Sequence, residues 1–215
     1  MIKLLVPLPK KVIVACSGGV DSMAVLTFLR KKHDVTCAFF HHGTETSDKA
    51  MKVVASFCTA NNVPMMFGNL WKTEKPKNKS QEEHWRDMRY KFFDSINTTM
   101  PIITCHHLDD CVETYIWSSL HGNAKVIPIR RKNVIRPFLT TRKQEFVNFC
   151  QRFCIPWAED ESNRDNTYMR NYIRNEMMPH ALKVNPGLHK VVKKMVQKNA
   201  IVDILSHDYP GQYVG

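Results

Sequence analysis

With 215 residues, 43% of them hydrophobic, the chain is long enough for one α/β domain, a full core and a small appendage. No apolar run reaches membrane-spanning length, and the apolar start Met1–Leu8 is too short for a signal peptide and has no small-residue cleavage site. A formal charge of +11 suits a polyanionic partner; seven cysteines without a Cys-x-x-Cys fit reduced thiols in a cytosol, not a disulfide framework.

In chain order, Val12–Cys16 reads as a buried strand, because parallel strands covered on both faces give continuous apolar runs. Ser17-Gly18-Gly19 breaks it, and helical spacing resumes through Met23, Leu26 and Leu29. The glycines allow a tight turn and bring bare N–H groups close to a ligand. The first amides of the following helix, with the hydroxyls of Ser17 and Ser22, are placed to hold phosphate oxygens. Asp21 inside an anion site calls for a divalent cation, magnesium, between its carboxylate and the phosphates. The Walker P-loop is excluded, since it needs four residues between its glycines and then Lys-Ser or Lys-Thr.

Asp34–Phe40 reads as a second buried strand, opening at His41-His42-Gly43 into a ligand crevice. Ser47 is expected to cap a helix to Asn61-Asn62, and Pro64–Trp71 to form a third strand. Lys72–Lys79 is a basic loop. Ser80 and Glu83 form a capping box for a helix to about Ile96, with Glu82, Arg86, Arg89 and Tyr90 on one face. Met100–Thr104 is a fourth strand and Leu108–Leu120 a fourth helix. This alternation predicts a doubly wound parallel sheet.

Asp110 and Glu113, three apart at a helix start, can point one way and bind a cationic substrate or magnesium. His106 and His107 beside them admit a transition-metal reading, weakened because adjacent histidines point differently and no distant ligand is evident. From Thr114 to Gln144 there is no acid, and Arg130, Arg131 and Lys132 lie mid-run, which fits RNA phosphate binding. Gly122 and Pro128 suggest loops or a hairpin there. A helix capped at Thr141 is expected to run to Cys154, with Cys150 and Cys154 both in the core. Met169, Ile173 and Met177 mark a helix ending at Pro179, from which Arg170 and Arg174 could reach phosphates. A basic helix, Leu188–Leu205, precedes a loose tail.

Ser17-Gly18-Gly19-Val20-Asp21-Ser22 resembles the pyrophosphate loop (PP-loop) of the N-type ATP pyrophosphatases. Further pieces follow in order: His42-Gly43; Gln81-Glu82 with Arg86, Arg89 and Tyr90; His106-His107 with Asp109, Asp110, Glu113 and Thr114; and Asp160 with Ser162-Asn163, Arg170-Asn171 and Arg174. Together they resemble the tRNA(Ile)-lysidine synthetases. The resemblance implies an adenine nucleotide α-hydrolase-like sheet of about five strands over residues 1–179, with a basic helical extension over 180–215.

It also implies a cytoplasmic ligase that uses ATP and magnesium to adenylate the wobble cytidine of a tRNA(Ile) with a CAU anticodon. Free L-lysine then attacks and displaces AMP. ATP would sit on Ser17–Ser22 with His42, lysine on Asp110 and Glu113, and tRNA on Arg86, Arg130, Arg131, Lys132 and Arg170. Asp21, Asp110, Glu113 and Arg174 would be the catalytic set. Three features depart from the family pattern: Thr44-Glu45 replaces an apolar residue and arginine, Leu120–Val134 lacks the usual glycines, and the length suits a minimal form without the extra C-terminal domains. The rival readings are a tRNA thiolase, disfavoured by the missing cysteine pairs, an inactive nucleotide- and RNA-binding protein, and an ammonia-using amide synthetase.

Overall fold

The computed structural model describes residues 1–70, 73–96, 98–159 and 165–206. Six strands form one mixed sheet: β1 (Lys11–Ala15), β2 (Asp34–His41), β3 (Met65–Asn69), β4 (Ile102–Ile103), β5 (Arg130–Arg131) and β6 (Val134–Ile135), in the order β3-β2-β1-β4-β6-β5. All neighbours are parallel except the β5–β6 hairpin. β1 sits between β2 and β4, so the strand order reverses there and the crevice opens at the carboxyl ends of β1 and β4. The doubly wound sheet is as expected, with the short antiparallel edge strand added.

The flanking helices are α1 (Val20–Leu29), α2 (Glu45–Ala60), α3 (Gln81–Ser95), α4 (Leu108–Leu120) and α5 (Lys143–Arg152). Then come α6 (Met169–Tyr172), a π-turn (Ile173–Met177), α7 (Met178–Val184) and α8 (Leu188–Ser206). Val12, Ile13 and Val14 are fully buried, which explains the unbroken apolar run. Along α1 the residues from Ser22 to Thr27 are buried in succession, so this helix is enclosed on all sides. Leu188, Val192, Val196 and Ala200 of α8 join the same buried cluster as β1 and α1.

Several local expectations need correcting. Thr44, not Ser47, caps α2: its extended backbone lets its Oγ1 accept the Ser47 N–H at 3.2 Å. β3 ends at Asn69, and Trp71 and Lys72 lie outside the described residues. α5 starts after Arg142 with no side-chain cap, since the Thr141 hydroxyl lies instead 3.4 Å from the Lys3 N–H. Pro179 does not end its helix; it sits in the first turn of α7, where a missing N–H is tolerated, after the wider π-turn. Cys150 is fully buried, but Cys154 is exposed at φ 49° just past α5. The capping box of α3 forms as read, with Ser80 N–H donating to Glu83 at 2.9 Å and Glu83 N–H to Ser80 at 3.2 Å.

Candidate active site

The loop between β1 and α1 presents helix amides without a competing cap. Gly19 stands at the N-cap position with no side-chain hydrogen bond, so the amides that follow face the crevice unblocked. Gly18 is needed on two counts: its φ is +84°, and a Cβ there would lie 2.9 Å from the Ala50 Cβ on α2. Its carbonyl accepts the Ala158 N–H at 2.9 Å, tying the segment after α5 to this loop. Ser22 donates its hydroxyl to the Gly19 carbonyl at 2.9 Å, so that hydroxyl serves the turn itself. Ser17 Oγ lies 3.4 Å from Ser22 Oγ.

Two adjoining cavities, about 370 and 570 Å³, share Ser17, Gly19, Asp21, His42, Arg89 and Arg174 in their walls. The smaller adds Ser22, Thr104, His106, Asp110 and Arg170; the larger adds Val20, Trp85, Trp157 and Tyr168. Asp21 Oδ1 is buried without a hydrogen-bond partner, while Oδ2 lies 3.6 Å from His107 Nε2. That spare carboxylate oxygen, on a wall of both cavities, fits a divalent cation shared with phosphates. Among the described residues no group of three or more His, Cys, Asp or Glu could hold a metal by itself, so the transition-metal reading has no ligand set.

The two predicted acids and the two predicted arginines are each other's partners. Arg170 donates to Asp110 at 2.7 Å and to Glu113 at 3.0 Å; Arg174 donates to Glu113 at 2.6 Å and to Asp110 at 3.4 Å. Asp110 also closes the N-terminus of α4, accepting the His107 N–H at 2.9 Å. Burial opposes ionisation of Asp110, but His107, Arg170 and His106 hold its carboxyl well below the usual range. His106 is the reverse case. Burial pushes its imidazole down to about 3, against the pull of Asp110, so it stays neutral, with Nδ1 3.0 Å from Thr104 Oγ1. His41 accepts the Gly43 N–H on Nδ1 at 3.0 Å, so its Nε2 carries the proton toward Asp48.

Several members of the basic run are paired or buried. Lys132 pairs with Asp94 at 2.8 Å and Arg130 lies 3.8 Å from Asp203. Arg142 and the Lys143 backbone N–H both bond Asp109, at 3.3 and 2.8 Å. Arg136 is buried, 2% exposed, inside the hairpin. Arg86 and Arg131 remain exposed, both over the Tyr90 ring. Sequence reading missed Trp85 and Trp157 as cavity walls. Trp157 stands in irregular chain, where no periodicity marks it. Asp160, Ser162 and Asn163 lie outside the described residues.

A doubly wound sheet with an uncapped glycine loop at its switch point defines a nucleotide-binding α/β domain of the non-Walker kind. The PP-loop domain family matches residues 3–181, and the chain belongs to that family. It is 31% identical over 203 residues to the tRNA(Ile)-lysidine synthase of a Thermotoga species, covering 86% of this chain and 48% of that one. The Staphylococcus aureus tRNA(Ile)-lysidine synthase is 30% identical over 186 residues, covering 78% and 43%. The bifunctional protein TilS/HprT of Listeria innocua is 29% identical over 209 residues, covering 88% and 32%. The chain thus spans about half the length, or less, of these relatives. Among solved structures, the NH3-dependent NAD synthetase of Campylobacter jejuni superposes with a TM-score of 0.49 at 14% identity, covering 94% of this chain and 90% of that one. Among the described residues, no helix is long and apolar enough to cross a membrane.

Proposed function

We propose that this chain is a cytoplasmic, ATP-dependent tRNA-modifying ligase that adenylates the wobble cytidine of tRNA(Ile) and attaches lysine to it. The observation that carries the reading is that the phosphate-binding loop and Asp110 line one cavity, with Glu113 beside Asp110 on the same arginines. An anion site and an acid pair are what an enzyme joining ATP to an amine requires.

The α1 amides would hold the ATP phosphates while the cytidine C2 oxygen attacks the α-phosphorus and pyrophosphate leaves. Asp21 would hold magnesium against those phosphates, and the ion would neutralise their charge. The lysine amine, having given its proton to a carboxylate of the Asp110–Glu113 pair or to water, then bonds to C2, the C2–O bond breaks, and AMP departs with the electron pair. To bind the lysine ammonium, Asp110 and Glu113 must release part of their hold on Arg170 and Arg174, which would free guanidinium groups for phosphate. A thiolation reading is disfavoured by Cys105: it is in the cavity wall, but burial pushes its thiol well above the ordinary range, unlike a reactive thiolate.

The direct test is incubation with ATP, labelled lysine and total tRNA, followed by nucleoside analysis; label in a modified cytidine is the expected result. Asp21→Ala should abolish pyrophosphate release while the fold survives. Glu113→Gln should raise the lysine concentration required, with adenylation persisting. Equal loss of both half-reactions would place the acids on the nucleotide instead.

A further inference from the structure

Helix α3 and the β5–β6 hairpin meet at one aromatic ring. The Arg131 guanidinium lies 4.5 Å from the Tyr90 ring centroid and that of Arg86 lies 5.8 Å away. The Tyr90 hydroxyl accepts from Arg136 Nη2 at 2.9 Å, while Arg136 Nη1 donates to the Pro128 carbonyl at 2.8 Å. Phe93 closes the edge of the ring at 5.6 Å. Arg89, one residue before Tyr90, lines both cavities.

Among the described residues, none of Arg86, Arg89, Arg131 and Arg136 pairs with a carboxylate. Most acids nearby are committed elsewhere: Asp94 to Lys132, Asp109 to Arg142, Asp110 and Glu113 to Arg170 and Arg174. Glu82 shares both cavity walls with Arg89 but forms no ion pair with any of the four. Four guanidinium groups near one tyrosine, none of them in an ion pair and with one exposed acid close by, leave an excess of positive charge that an anion can neutralise. Burial lowers the Arg89 pKa, the neighbouring Tyr90 opposes that, and the charges of Arg86, Arg170 and Arg136 lower it further. The cluster is also drawn out along a path. Arg86 and Arg131 are exposed, whereas Arg89 and Tyr90 stand in the cavity wall. A chain of phosphates leading from the surface into the cavity matches this layout; a single anion does not.

We propose that Tyr90 is a positioning residue for RNA. Its ring gathers the exposed Arg86 and Arg131, and its hydroxyl is fixed by the buried Arg136, so that the two exposed guanidinium groups hold the phosphodiester backbone flanking the nucleotide that enters the cavity. Cation–π contact keeps two flexible side chains aimed before the RNA binds, so less order is lost on binding. The inference rests on the reading above that RNA is the substrate.

The test is equilibrium binding of a labelled RNA stem–loop to the whole chain over a range of salt, with neither ATP nor lysine present. Tyr90→Leu removes the ring, and should weaken binding several-fold and flatten the log–log salt slope by about 0.7 for each single-stranded phosphate no longer neutralised. Tyr90→Trp keeps an aromatic face and should restore the slope. In an Arg131→Ala background, Tyr90→Leu should cost much less than it does alone, because the tyrosine acts through that arginine. A wild-type slope in Tyr90→Leu, or additive losses in the double variant, overturns the proposal. Should Tyr90→Leu fail to fold by circular dichroism, Arg131→Ala and Arg86→Ala decide: unchanged slopes in both overturn it. Wild-type RNA binding without lysine incorporation would defeat the functional reading and leave the cluster standing. Lysine incorporation with slopes unmoved by these variants would do the opposite.

Discussion

Two groups of arginines stand within the same site, and they differ in the counter-charge they meet. Arg170 and Arg174 are saturated by Asp110 and Glu113, which are 8% and 3% exposed in their side chains. Arg86, Arg89, Arg131 and Arg136 surround Tyr90 and, among the described residues, meet no carboxylate. The contrast teaches that an arginine's role is set by the acids the fold brings to it. Breaking the first group should cost stability as well as ligand binding, whereas removing charge from the second should cost ligand binding with little loss of stability.

The sharpest way to break the contrast is Glu113→Ala. It leaves Asp110 as the one carboxylate facing two guanidinium groups, and should cost roughly 3 kcal/mol in a urea melt, tempered by the 43% exposure of the Arg170 side chain. An Arg131→Ala variant should lose well under 1 kcal/mol, because one exposed cation–π contact is worth about that much or less. If both variants lose equally, the two groups are not distinct.

Acid tests the paired group in a second way. Asp110 has a depressed pKa in the folded chain, so its contribution is present above the unfolded value of about 3.9 and is lost as pH falls through the folded value. His106 acts earlier. The unfolded imidazole takes a proton near pH 6.5, but the folded one refuses it down to about 3, so stability should decline across that window. Thermal melts at stepped pH should show the decline, and His106→Asn should remove its upper part. A profile that is flat from pH 6.5 to 4.5 in the parent protein would contradict the buried neutral histidine. The smallest effect belongs to Lys132→Ala, whose pair with Asp94 is 71% and 54% exposed; it should stay within about 0.5 kcal/mol.

What is legible in the sequence is what is local. The Ser17–Ser22 loop, the capping box of α3 and the bounds of α4 follow from residues a few positions apart, and each forms as read. Thr44 escapes notice as a cap because Ser47, three residues on, carries the same side-chain chemistry. The link of Arg170 and Arg174 to Asp110 and Glu113 spans some 57 to 64 residues, and no spacing rule reaches that far. Arg136 belongs to a basic run read as fitting RNA phosphates, yet it is buried, held by the Pro128 carbonyl and the Tyr90 hydroxyl, the latter 46 residues away and beyond any spacing rule. The π-turn carrying Arg174 likewise leaves no mark in an apolar stripe of Met169, Ile173 and Met177.

The hairpin edge has one more consequence. β5 is only two residues long, both of them arginine, and it closes one side of the sheet as the antiparallel strand among the described residues. An open strand edge is a template on which another chain can add, and natural sheets blunt such edges with brevity and charge. Here Arg130 and Arg131 do both at once: a second copy approaching edge to edge would meet like charges before it met two residues of free backbone. Arg131, proposed to hold RNA, therefore also discourages aggregation, and trading both arginines for valine would invite it.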